Sequence, residues 1–181
     1  MPDPFKVLES RDVYKNPWIQ VREDRVIREN GSTGLYGIVT MRAGSSVLAV
    51  TESGEALLVR QYRYAINQET LEVVSGALEP GEAPLAAARR ELREEVGYVS
   101  DHWIDAGRLD PFTSLVNSPN FMFLALDARK VGILPAEEDE MVTPVKLPLD
   151  LAVQMAVDGA ITHGASCALL LKADRIVDRT R

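Results

Sequence analysis

A single cysteine, Cys167, gives this 181-residue chain no intrachain disulfide and fits a reducing compartment. No apolar run approaches the ~20 residues that a membrane span requires, so no membrane role is expected. The start, MPDPFKVLESRDVY, has no basic stretch leading into an apolar one. No signal peptide is read there, and the expected location is the cytoplasm, with periplasmic export by another route left open. Basic residues are outnumbered: 20 Lys and Arg against 27 Asp and Glu give a net charge of −7, which argues against general binding to nucleic acid or anionic membranes. The only two histidines, His102 and His163, have no ligand spacing with each other or with Cys167 and read as surface or loop residues. For His163, in Ile-Thr-His-Gly ahead of a helical stretch, capping is the plain reading. Cys167, in an Ala/Leu-rich segment, reads as buried and inert. No Ser-His-Asp constellation, internal repeat or low-complexity linker is visible.

What is present is an ordinary globular composition, 46% hydrophobic and 26% charged, enough for a core of one compact domain with a small appendage. The first third reads as strands. Trp18 to Ile27 alternates, Asn30-Gly31 punctuates, and Tyr36 to Met41 continues extended. Ser46 to Thr51 and Ala56 to Tyr62 flank a turn at Glu52-Ser53-Gly54-Glu55, and Leu71 to Val74 is a short strand. Pro84 to Val96 is the clearest helix, with Pro in its first turn and Gly97 as its stop. Its buried stripe is read as Leu85, Ala88 and Leu92. Trp103 to Leu109, Phe121 to Asp127 and Val142 to Leu147 read as strands, Leu149 to Val157 and Ala165 to Val177 as helices. This order predicts an α+β fold, with residues 1–45 forming an N-terminal β unit and 46–181 the main domain.

That helix carries an unusual load. Glu91, Glu94 and Glu95 fall within five positions, and at 3.6 residues per turn Glu91 and Glu95 share a face with Glu94 beside them. Like charges so spaced oppose helix formation, so a positive partner is expected, and a hard divalent cation suits carboxylate oxygens. The bland alternative is a solvated acidic face.

With Gly76, Glu82, Arg90-Glu91, Leu92, Glu94-Glu95, Gly97 and Tyr98 in place, the stretch resembles the Nudix box, G-x5-E-x7-R-E-U-x-E-E-x-G-U, at every fixed position. Upstream, Val59-Arg-Gln-Tyr-Arg63 and Glu69-Thr-Leu-Glu72-Val-Val-Ser-Gly76 are similar to the segment preceding the box in ADP-ribose and nucleoside-diphosphate-sugar pyrophosphatases. The resemblance implies a Nudix fold, an α-β-α sandwich with a mixed sheet, plus a small N-terminal antiparallel β unit. It implies Mg²⁺, with Mn²⁺ as an alternative, held by Glu91, Glu95, Glu94 and the backbone carbonyl of Ser75. Glu82 and Arg90 support those carboxylates. Within this subgroup the base is often a Glu on a later loop. Here Glu140 aligns best, with Glu137, Glu138 and Asp139 beside it and Glu94 as the alternative base. Arg63 matches a phosphate-binding Arg, with Arg60 a second candidate, and Glu72 matches a contact to the terminal ribose. Trp18 and Tyr36 correspond to aromatics that sandwich the base, in a β unit that pairs two subunits into a homodimer. Read without the resemblance, Trp18 and Tyr36 are strand residues, Arg63 a surface ion pair and Trp103 a core residue.

The implied activity is hydrolysis of the pyrophosphate of ADP-ribose or a related nucleoside diphosphate sugar to a nucleoside monophosphate and a sugar phosphate. One alternative is a preference for GDP-mannose or another nucleotide sugar, and a remote one is a Nudix ligand sensor without catalysis. Two departures bear on substrate. Many ADP-ribose hydrolases carry Ser-Pro-Gly after the box, where this chain has Asp110-Pro-Phe-Thr-Ser and Asn117-Ser-Pro119-Asn120. The last helix has Lys172-Ala-Asp174 rather than the Asp-x-Lys of sugar-nucleotide members.

Overall fold

The computed structural model describes residues 4–132 and 142–177. They divide into two compact units, one drawn from Met1–Ala43 with Asp110–Pro119 and the other from Gly44–Leu109 with Asn120–Arg181. The N-terminal boundary falls two residues before the predicted one. The return of Asp110–Pro119 to the first unit had no signal in the sequence.

In the first unit, β1 (Phe5–Lys15), β2 (Ile19–Arg28) and β3 (Thr33–Met41) form an antiparallel sheet, and β9 (Val116–Asn117) joins β3 in parallel. Every residue of β1 is exposed. It has no one-sided apolar alternation to betray it, and register shifts at Val7/Glu9 and Asp12/Tyr14 break its period further. That is why the sequence reading starts its strands only at Trp18.

The second unit holds β4 (Gly44–Thr51), β5 (Glu55–Arg63), β6 (Gln68–Ala77), β7 (Tyr98–Val99), β8 (His102–Leu109), β10 (Asn120–Lys130) and β11 (Val142–Pro148). The sheet order is β11-β5-β6-β4-β10-β7, with β8 on β10; β4 and β10 run parallel and the other pairs antiparallel. The helices are α1 (Pro84–Glu95), α2 (Leu149–Val157) and α3 (Gly164–Val177). Strand alternation splits the core in two. Leu48, Leu58 and Leu124 face one layer with Ala152 of α2 and Leu169 and Leu170 of α3. Val47, Leu57, Val59 and Phe123 face the other with Ala88 and Leu92 of α1. The result is the expected mixed α+β sandwich, helices on both faces of a mixed sheet.

Strand β6 is longer than its apolar centre and changes partners midway. Leu58↔Val73 through Arg63↔Gln68 tie it to β5, and Val47↔Val74 through Gly44↔Ala77 tie it to β4. At the changeover the Val73 N–H donates to Ser166 Oγ of α3 at 2.9 Å instead of to a strand. A buried backbone donor must find some acceptor, and α3 provides it.

Candidate active site

Helix α1 starts on Pro84, whose missing N–H costs nothing in the first turn, and ends where Gly97 takes φ +74°, donating its N–H to the Arg93 carbonyl at 3.1 Å. Its inner face is not the purely apolar stripe that the sequence predicted. Glu91 and Glu95 are buried at 7% exposure beside Ala87, Ala88 and Leu92, while Leu85 is only half-buried. Gly76 makes this possible: a Cβ there would lie 1.9 Å from Glu91 Oε1. The glycine of β6 is therefore a cradle for the Glu91 carboxylate.

Arg90 holds the acidic group together. Its Nε donates to Glu82 Oε1 at 3.0 Å and Nη2 to Glu82 Oε2 at 3.0 Å. Nη1 donates to Glu91 Oε1 at 2.7 Å and to Glu94 Oε2 at 3.1 Å, and Nη2 also reaches the Ala77 carbonyl at 3.3 Å. Glu82 Oε2 in turn accepts the Glu79 N–H at 2.9 Å. The Arg90 bonds, then that backbone N–H, hold the Glu82 carboxyl below its ordinary range. Three carboxylates around one guanidinium fix Arg90 in its charged form. Among the described residues no three His, Cys, Asp or Glu side chains converge as a finished metal site. Even so, two buried carboxylates on one helix face, Glu95 and the cradled Glu91, with Glu94 at the rim, are a hard-oxygen donor set that fits a divalent cation. Ser75, half-buried, immediately precedes that glycine. Alongside lies a cavity of about 530 Å³ whose lining includes Arg89, Arg90, Arg93, Glu94 and Trp103.

A second cluster centres on Glu72, which is 2% exposed. Oε1 accepts Arg63 Nε at 3.0 Å and Thr70 Oγ1 at 2.7 Å; Oε2 accepts Arg63 Nη2 at 2.5 Å and lies 3.3 Å from His163 Nδ1. Burial by itself would raise the Glu72 carboxyl. The hydrogen bonds from Arg63 and Thr70, with the charges of His163 and Arg63, outweigh it and leave the group below its ordinary value. Its two oxygens are engaged by Arg63 and Thr70, a structural pairing that stands beside the expected contact with a substrate ribose. His163 lies in the loop ahead of α3, as expected, with more contacts than a surface residue. Its side chain is 31% exposed and lies between Glu72 and Ser166, with Nδ1 2.8 Å from Ser166 Oγ. Its capping role is carried by its carbonyl, which accepts the Cys167 N–H at 3.0 Å. Ser166, His163 and Glu72 stand together without forming a hydrolase triad, because serine and carboxylate meet the same ring nitrogen. No sequence spacing marks this cluster, in which Glu72 and His163 lie 91 positions apart.

The remaining candidates are dispersed. Trp18 is 69% exposed. Tyr36, in the same unit, has the edge of Phe5 at 5.3 Å and the Arg28 guanidinium 5.9 Å from its ring centroid. Arg60 is exposed and lines a smaller cavity with Tyr62 and Thr143. Glu137, Glu138, Asp139 and Glu140 lie outside the described residues. His102 is an exposed residue beside Asp127 at 2.6 Å. Trp103 packs edge-on to Phe123 at 6.5 Å under the Arg89 guanidinium. Cys167 is half-buried, and burial pushes its thiol up. No described helix is long and apolar enough to cross a membrane.

A model described as the NUDIX domain matches residues 40–163, and one for the nucleoside diphosphate sugar hydrolase N-terminal domain matches residues 5–39. The chain is 29% identical over 156 residues to a methanol dehydrogenase activator of Bacillus methanolicus, covering 82% of this chain and 81% of that one. It is 29% identical over 160 residues to an ADP-ribose pyrophosphatase of Bacillus subtilis (strain 168), covering 83% and 82%. A crystal structure of an ADP compounds hydrolase superposes with a TM-score of 0.88 over 98% of this chain and 96% of that one, at 21% identity, a likeness of fold.

Proposed function

The chain belongs to the Nudix family, and on that premise we propose that it is a pyrophosphohydrolase cleaving ADP-ribose or a related nucleoside diphosphate sugar to a nucleoside monophosphate and a sugar phosphate. The observation that carries the reading is the pair of buried carboxylates on one face of α1, Glu95 and Glu91, with Glu91 over Gly76 and tied through Arg90 to Glu82 and Glu94. Glu91, Glu95, Glu94 and the Ser75 carbonyl would hold Mg²⁺, with Mn²⁺ as a substitute. Bound there, the cation supplies charge neutralisation on the diphosphate and a lowered pKa for water. Arg90 bridges Glu82, Glu91 and Glu94 and fixes their orientation. Arg63 holds a substrate phosphate; its side chain is 40% exposed and is oriented by Glu72. Glu140, or Glu94 in its place, accepts the proton of the attacking water. Trp18, and less openly Tyr36, provides an aromatic face for the base, in a β unit that makes the protein a homodimer.

The test is a panel of ADP-ribose, GDP-mannose, other nucleotide sugars and dinucleoside polyphosphates, with products identified after reaction in ¹⁸O-labelled water. ADP-ribose is expected to be turned over fastest, with Mg²⁺ required and EDTA abolishing the reaction. A faster rate on GDP-mannose would move the substrate assignment within the class. No hydrolysis of any diphosphate with either cation would turn the reading to a ligand sensor.

A further inference from the structure

We propose that His163, at the start of α3, is a positioning residue for Arg63, acting through Glu72. The proposal rests on the reading of Arg63 as a substrate-phosphate ligand. Arg63 and Glu72 form a two-pronged ion pair whose outer member is 40% exposed and whose inner member is 2% exposed. The inner member is the one that must be fixed if the guanidinium is to be held in a single orientation. Three further side chains meet it. Thr70 donates from β6 and Gln61 from β5, the latter at 3.5 Å, and His163 approaches from just ahead of α3, 91 positions away in sequence.

The chemistry of the contact determines which proton is used. An ionised carboxylate only accepts, so the 3.3 Å approach of His163 Nδ1 to Glu72 Oε2, a charge contact rather than a full hydrogen bond, is favourable only with a proton on Nδ1. The same N–H faces Ser166 Oγ at 2.8 Å, and that hydroxyl oxygen already accepts the Val73 N–H. Burial lowers the affinity of His163 for a second proton, the Glu72 charge opposes this, and the Arg63 charge adds to it. The net holds the imidazole below its ordinary range, with Nδ1 facing both Glu72 and Ser166. The start of α3 therefore meets β6 twice, Ser166 at the Val73 backbone and His163, just ahead of the helix, at the Glu72 side chain. It does so just before that strand runs on to Ser75 and Gly76.

Three substitutions separate this role from simple packing. Asn places an amide N–H near the Nδ1 position, Gln places one near Nε2, and Phe keeps the ring without a donor. With ADP-ribose and Mg²⁺, His163→Asn is expected to keep the wild-type KM. His163→Gln and His163→Phe are expected to raise KM by about five- to tenfold, the scale of one lost hydrogen bond, with kcat changed by less than about twofold. Should His163→Phe not fold, the Asn and Gln pair decides alone. Equal KM values across the variants, or a fall in kcat at constant KM, would overturn the proposal. A second readout does not depend on turnover. Solvent exchange of the Arg63 Nε–H, followed by NMR, should quicken about tenfold in His163→Gln and stay near wild type in His163→Asn. If the wild type hydrolyses no nucleotide sugar, the reading of the substrate fails. The exchange experiment still decides whether His163 holds Arg63 in place, and unchanged exchange in His163→Gln would overturn that.

Discussion

Gly76 is the residue whose absence of a side chain matters most. An added Cβ would sit 1.9 Å from the end of Glu91, a flexible group that can swing away, rather than against backbone. Gly76→Ala is therefore expected to leave the fold intact while displacing the Glu91 carboxylate, with kcat/KM falling roughly 100-fold or more and melting temperature nearly unchanged. Glu95→Gln, which removes one buried negative charge at almost constant volume, is expected to lose activity on the same scale and remain folded by circular dichroism. Near-normal turnover in either variant would remove the metal assignment. Glu72 governs a different measurement. Its carboxyl is held below its ordinary value of 4.5, so its contribution to stability is fully present above about that pH and is lost as pH falls through the lower folded-state value. Denaturant midpoints measured from pH 7 down to pH 3 should show an acid-side loss that is reduced in Glu72→Gln. At this scale the sequence was informative where chemistry imposes spacing. Gly76, Glu82, Arg90, Glu91, Glu94 and Glu95 could be listed from the chain. That Glu91 and Glu95 face inward could not, because the burial of a carboxylate depends on what β6 offers opposite it.

Among the elements, strongly patterned ones were legible and weakly patterned ones were not. Helix α1 shows itself through Pro84, its Ala/Leu interior and Gly97. Strands β4, β5 and β10 show themselves by apolar runs that are buried on both faces. Strand β1, exposed throughout, and the two-residue β7 and β9 have no such pattern, and the pairing of β7 and β9 is decided by neighbours distant in sequence. The same holds for the junction of β6 with α3. Ser166→Ala takes away the hydroxyl that accepts the buried Val73 N–H, and an unsatisfied donor there costs about 1–3 kcal/mol. Urea denaturation should register that loss without a change in m-value. A drop much smaller than this range would mean that the β6 edge finds another acceptor when α3 withdraws.

For the molecule as a whole, the first unit carries an apolar surface that needs a reason. Val7, Val13, Tyr14, Trp18 and Leu35 are each more than half exposed, in a protein otherwise rich in surface charge. Self-association through this unit would cover them. Light scattering at micromolar concentration should return the mass of a dimer, and Val7→Glu with Val13→Glu should return that of a monomer. A wild-type monomer would remove the dimer, and with it any part for Trp18 that depends on a second subunit. One feature of the chain path reaches further. The polypeptide leaves the first unit at Ala43, returns to it at Asp110–Pro119 to lay Val116–Asn117 beside β3, and leaves again. The two units are thus sewn together by three crossings of the backbone. A single proteolytic nick near residue 43 would not release the first from the second, and deleting residues 1–43 would leave β9 a strand without a sheet. Any shortening or domain exchange of this protein must treat the first unit as two separate stretches of sequence, kept or removed together.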